Sequence, residues 1–273
     1  MAYEKIDYQP QPEEKKKYWD IAVGLQAIDH LKPSEYLHEL AEKNVAGALT
    51  NRQVEELLYT RYEKETPEEK AARVKECDIV SNRIVELLER EGMPLNPGSL
   101  KSIHKYLFHD IYPDAGRYRE YNIRKCEPVL NGETVKYANY YDIEELLSYD
   151  FEQEKKRKYQ KMEPEKVVKH ISEFTSSIWQ VHPFSEGNTR TTAVFIERYL
   201  NYLGFQVNNE LFSENSLFFR NALVRSNYAD YKNGIVNTDK FLHLFFENLL
   251  YGGQNHLSLR EEMLQEMFQE PEL

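Results

Sequence analysis

Hydrophobic positions along this chain recur mostly at intervals of three and four residues, a spacing that predicts helices almost throughout. In YWDIAVGLQAIDHL, the side chains Ile21, Leu25, Ile28 and Leu31 fall on one side of a helix. Pro33 and Ser34 interrupt it, and Ser34 can cap the next segment, SEYLHELAEKNVAG, which Gly47 ends. Thr50 and Asn51 start NRQVEELLYTRY, where Val54, Leu57, Leu58 and Tyr62 share a side. These three short helices make a small unit over residues 15–62, after a polar arm, 1–14, that carries Pro10 and Pro12. Thr66-Pro67-Glu68-Glu69 sets proline at a first helical position and opens a long helix to about Arg90. A second follows in LNPGSLKSIHKYLFHDI. Further helices are expected over 142–158 and 164–181, from about Thr189, in SLFFRNALVRSNYADY and in FLHLFFENLL. Within the tail, 251–273, the last stretch HLSLREEMLQEMFQEPEL reads as a frayed amphipathic helix.

One stretch departs from that period. IRKCEPVLNGETVKYA is rich in strand-forming residues, and its Asn131-Gly132 pair suits a type I′ turn. It predicts a β-hairpin over 124–137, which needs support from the helices around it. The expected fold is all-α with this single hairpin.

Composition narrows the function classes. A chain of 273 residues with 41% hydrophobic and 30% charged residues can bury a sizeable core. Its length suits one main domain, 66–250, with an appendage. The net charge of -11 argues against nucleic acid as a partner, because that contact needs a basic field. Cys77 and Cys126 are far apart and read as two free thiols. The first residues lack the apolar segment of a signal peptide, and no apolar run approaches membrane-spanning length. A cytoplasmic protein without membrane partners is expected; self-association is left open.

The chemistry concentrates in HPFSEGNTR, residues 182–190. Gly187, Asn188 and Thr189 precede an aliphatic helix, whose first N–H groups and dipole favour an anion at that spot. Arg190 in a first helical turn is unfavourable for the helix alone and makes sense as a grip on phosphate. Glu186 is a hard oxygen donor suited to Mg²⁺ shared with phosphate oxygens. His182 can be neutral near pH 7 and accept a proton. Each residue alone has a bland reading; together in nine positions they point to a nucleotide site.

HPFSEGNTR resembles the signature of Fic-domain proteins, whose usual form is HPF, any residue, Asp or Glu, GNGR, two variable positions and a second Arg. LKSIHKYLFHDIYPDAGRYREYNIRK, residues 100–125, resembles a second block of that family. The resemblance implies a helical core and, most commonly, Mg²⁺-dependent transfer of AMP from ATP to a hydroxyl side chain of a target protein. It makes His182 the base and Glu186 the metal ligand. Phe184, Gly187, Asn188, Thr189 and Arg190 become the nucleotide-binding set, with the Asn188 side chain on the phosphates. The hairpin tip, Pro128, Val129, Leu130, Asn131 and Gly132, becomes a flap that docks the target by strand pairing. Asn221, Tyr228 and Tyr231 fall near the nucleotide base, with core packing or a surface face as their plainer role.

Two positions depart from the family pattern. Thr189 replaces the second Gly of GNGR, where a Cβ and hydroxyl either crowd the anion hole or add a donor. Ala193 replaces the second Arg and weakens the hold on a γ-phosphate. The N-terminal unit resembles the three-helix antitoxins that silence Fic toxins, with Leu25, Asp29 and His30 at the positions of their inhibitory pattern. The usual Glu is shortened to Asp29, and Ala193 cannot pair with it. The unit is therefore expected to dock on the core with inhibition through the usual ion pair lost or weakened. An approach of Asp29 to Arg190, and an ordinary solvated face for Asp29 and His30, are the alternatives. Other nucleotide or phosphate transfer, and a catalytically impaired Fic scaffold, stand as the competing readings.

Overall fold

The computed structural model describes residues 10–90, 92–205, 207, 210–257 and 263. Eleven α-helices and no strand form among them, with one isolated bridge between Asp230 and Ile235. The N-terminal helices are α1 (Pro12–Gly24), continued by a 3-10 turn at Leu25–Asp29, then α2 (Glu35–Val45) and α3 (Asn51–Tyr62). Their caps are the ones the sequence offers. Ser34 Oγ accepts from Leu37 N–H at 3.0 Å, and Thr50 forms a reciprocal capping box with Gln53. The expected arm is shorter than 1–14, because Pro12 already opens α1; residues 1–9 lie outside the described residues.

The long helix expected from Pro67 to Arg90 is two. A capping box at Thr66 opens α4 (Pro67–Ala71), and α5 runs Val74–Leu88. Arg73 between them adopts φ 54°, a left-handed conformation, and turns its guanidinium onto Glu76 at 2.6 and 2.8 Å. The remaining helices are α6 (Pro97–Phe108), α7 (Ile143–Glu154), α8 (Pro164–Val181), α9 (Asn188–Tyr202), α10 (Glu210–Ser226) and α11 (Lys240–Tyr251). The expected tail helix falls almost wholly outside the described residues.

α9 is buried on nearly every side, from Asn188 through Glu197, as a central helix should be. α5, α6 and α8 pack around it, and α10 packs on α8 and α11. The N-terminal helices share this core: α1 lies against α5 and α10, and α3 against α5. Polar ties lock them there. The buried Asp78 carboxylate receives Ser34 Oγ and Tyr62 Oη, and Ser216 Oγ donates to Gly24 carbonyl at 2.7 Å. Gly24 touches α10 so closely that a Cβ there would lie 2.3 Å from Ser213 Cα.

The hairpin does not form. Residues 124–137 make an irregular loop with a 3-10 turn at Pro128–Leu130, after which Asn131 and Gly132 take φ 54° and 92°. The positive-φ pair is present, and Glu127 N–H reaches Glu133 carbonyl at 2.8 Å, but no ladder continues. Pro128 has no N–H to give one. Lys125 N–H meets the Thr134 hydroxyl, not a partner carbonyl. Val129, Leu130, Val135 and Tyr137 are buried against the helices. Glu127 is fully buried and takes Arg220 at 2.6 Å and Tyr137 Oη at 2.9 Å. Tertiary burial of one carboxylate and four apolar side chains outweighs strand pairing in this segment.

Candidate functional site

His182 ends α8 with φ 47°, and the loop to α9 doubles back on three braces. Asn188 bridges Phe184 in both directions, accepting from its N–H at 2.9 Å and donating to its carbonyl at 2.8 Å. Its carboxamide shapes the loop and uses one of its two N–H donors in doing so. His104 on α6 stacks on the Phe184 ring at 3.8 Å and 13°. Gly116 N–H donates to His104 Nδ1 at 2.8 Å, so His104 Nε2 carries the proton it offers to Glu186 carbonyl at 3.1 Å. Burial holds His104 neutral, with its pKa lowered to about 4. Arg119, buried, donates to the carbonyls of His182 (2.8 Å), Val181, Tyr121 (2.7 Å) and Ala138 (2.6 Å).

Gly187 is required twice. Its φ is 71°, and an added Cβ would come within 2.5 Å of the Phe108 ring. After it, the first intrahelical bond runs from Thr191 N–H to Gly187 carbonyl, so the amides of Asn188, Thr189 and Arg190 belong to the orphan donors of a helix start.

The His182 ring is buried between Tyr137, at 4.2 Å between centroids, and Trp179. Its Nδ1 lies 3.3 Å from Trp179 carbonyl, a contact that only a protonated Nδ1 can make favourable. The lone pair therefore sits on Nε2. Burial first, then the cation of Lys125, lowers its pKa to about 3, which keeps the imidazole an acceptor.

A cavity of about 290 Å³ opens here, lined by His182, Ser185, Glu186, Gly187, Asn188 and Thr189, with Asp29, Tyr121, Ile123, Arg124 and Lys125 opposite. Glu186 is exposed in it. Thr189 turns its hydroxyl away to accept from Trp179 Nε1 at 2.9 Å, so its side chain braces α8 and does not crowd the loop.

Arg190 lies beneath the cavity, fully buried, with its guanidinium 4.8 Å from the Phe108 ring centroid. Asp29 pairs with it at 2.7 Å and Glu76 at 2.8 Å; Gln26 Oε1 accepts at 3.0 Å and Tyr112 Oη at 3.1 Å. Burial opposes its charge, but Asp29, Tyr112 and Glu76 together hold it above the usual guanidinium range. Likewise burial would raise the Glu76 carboxyl, yet Arg73 and Arg190 hold it low. Ala193 is buried in the core and offers nothing to the site.

Several expected site residues lie elsewhere. Phe184 is packed under the loop, and Asn221, Tyr228 and Tyr231 do not line the cavity; Asn221 and Tyr228 are buried and Tyr231 is exposed. Pro128 opens the 3-10 turn and is exposed, as are Asn131 and Gly132 at the tip, while Val129 and Leu130 face the core. Leu25 is a core residue, and His30 (φ 58°) ends the 3-10 turn that delivers Asp29. Sequence reasoning missed Tyr121, Arg124, Lys125, Gln26 and Glu76. Arg124 and Lys125 were legible as adjacent cations; nothing in KECDIV distinguishes Glu76 from a solvated helix residue.

Among the described residues no cluster of three His, Cys, Asp or Glu side chains could enclose a metal by itself. No helix among them is long and apolar enough to cross a membrane. Residues 94–200 match the Fic/DOC family, so the chain carries a Fic/DOC family domain from the start of α6 into α9, with both motif blocks inside it. A Sinorhizobium fredii protein described as a probable protein adenylyltransferase is 27% identical over 164 residues, covering 57% of this chain and 79% of that one.

Proposed function

We propose that this chain is a protein adenylyltransferase, moving AMP from ATP to a hydroxyl side chain of a target protein or of itself. The observation that supports it most is the placing of His182, its Nδ1 3.3 Å from Trp179 carbonyl so that Nε2 is the nitrogen left to accept, beside the start of α9 in one cavity with Glu186, Arg124 and Lys125. His182 takes the proton of the attacking hydroxyl. That oxygen bonds to the α-phosphorus as the bond to pyrophosphate breaks. The α9 amides and the two cations stabilise charge on the phosphates, and positioning with charge stabilisation supplies most of the catalysis in such transfers.

Mg²⁺ suits this donor set, because it is commonly held by one or two carboxylates together with substrate phosphates, and Glu186 is an exposed carboxylate in the cavity. When bound there, Mg²⁺ would share phosphate oxygens and offset their charge.

The same reading assigns the N-terminal unit a restraining role. Arg190 is the cation the motif provides for phosphate, and Gln26 and Asp29 occupy two of its nitrogens. A triphosphate gains this guanidinium only when those two side chains withdraw.

Intact mass after incubation with ATP and Mg²⁺ tests the reaction. An added AMP moiety is expected on the chain or on a supplied target, lost in His182→Ala. An added phosphate would replace this reading with kinase-like transfer, and equal labelling by His182→Ala would remove the base from its role.

A further inference from the structure

The hydroxyl groups around the cavity are not equivalent. Ser185 Oγ is committed to the Asp114 carboxylate, and Thr189 Oγ1 to the Trp179 indole. Tyr121 differs: it lines the same cavity as His182, and it is 54% exposed. Its place is not that of a loose loop residue. Arg119 holds Tyr121 carbonyl at 2.7 Å and His182 carbonyl at 2.8 Å through one buried guanidinium, so the backbone of acceptor and base is fastened to a common point. The other well-exposed tyrosines, including Tyr140, Tyr141, Tyr149, Tyr202 and Tyr231, do not line the cavity.

We infer that Tyr121 is an intramolecular modification site, the chain's own acceptor for the nucleotidyl group. This rests on the adenylyl-transfer reading above. In the step, Tyr121 Oη bonds to the α-phosphorus of ATP and the bond to the β-phosphate oxygen breaks. Pyrophosphate leaves with that electron pair. The phenol proton passes to His182 Nε2 and from there to solvent. The product carries an anionic phosphodiester and an adenosine at the cavity mouth, beside Arg124 and Lys125. Modification therefore fills the space a second ATP and a foreign hydroxyl need, and a labelled chain should modify other proteins more slowly.

The test uses the full chain and its Asp29→Ala variant with ATP and Mg²⁺, reading peptide maps by mass spectrometry and pyrophosphate release in parallel. One AMP is expected on the peptide containing Tyr121, reduced at least tenfold in Tyr121→Phe and absent in His182→Ala. The labelled fraction at a given time should not depend on protein concentration, since donor site and acceptor share one chain. An adduct on another residue, an undiminished adduct in Tyr121→Phe, or a rate rising with protein concentration would overturn the assignment while leaving adenylyl transfer intact. So would pyrophosphate release with no adduct. Neither adduct nor pyrophosphate from either chain would overturn this assignment and the transfer reading together.

Discussion

Gly187 and Thr189 lie two positions apart in one loop and answer substitution differently. Gly187→Ala adds a Cβ to a residue at φ 71° and drives it into the Phe108 ring. A loss of about 2 kcal/mol in urea unfolding is expected, because strain and overpacking act at one atom. A midpoint equal to the parent's would refute the close approach. Thr189→Gly restores the commoner motif residue yet leaves the buried Trp179 N–H without its acceptor. That should cost roughly 1–3 kcal/mol, and Thr189→Ser should recover most of it. At this scale the sequence marked the loop and its helix start and left the contacts open. HPFSEGNTR could not show that the Asn188 carboxamide braces Phe184, or that Thr189 serves Trp179. Those partners are four and ten residues away, and no local pattern encodes them.

The elements were legible where caps and period agreed. Ser34, Thr50, Thr66 and Pro164 each begin a helix where local rules place one. The break at Arg73 was not legible, because a left-handed arginine is held by a salt bridge to Glu76 that propensity does not register. The missing hairpin has the same kind of cause: Asn131 and Gly132 do turn the chain, but Glu127 is drawn inward by Arg220 on α10. Helix α9 carries a pH signature of its own. Glu197 is fully buried, and burial raises its carboxyl to about 8, well above the unfolded value near 4.5. A raised carboxylic pKa contributes stability that is complete below the unfolded value and lost as pH climbs toward the folded one. Glu197→Gln, neutral at every pH, should match the parent near pH 5 and exceed it by a few kcal/mol near pH 8. A gap that stays constant across that range would mean Glu197 does not change its charge inside the fold.

At the scale of the whole molecule, the N-terminal helices and the helices that carry the motif share one hydrophobic core. Length and composition suggested an appendage; only the packing shows α1 wedged between α5 and α10 with Asp29 at its far end. If the Asp29 contact restrains the site, Asp29→Ala should raise the labelling rate by about tenfold, the size of a typical coupling between two sites. Glu76 and Tyr112 keep Arg190 partnered in that variant, so its thermal midpoint should fall little. Equal rates would show that the guanidinium is not what limits transfer.

Gly24 gives this arrangement a lever of its own. The missing side chain at that residue lets the backbone of α1 seat directly against Ser213, five residues before Asp29. A single methyl, introduced as Gly24→Ala, must prise the two helices apart and carry the neighbouring carboxylate with them. The purified variant should label itself faster than its parent while melting at a lower temperature. A hydrogen atom in a helix seam would then govern a positive charge that it never meets.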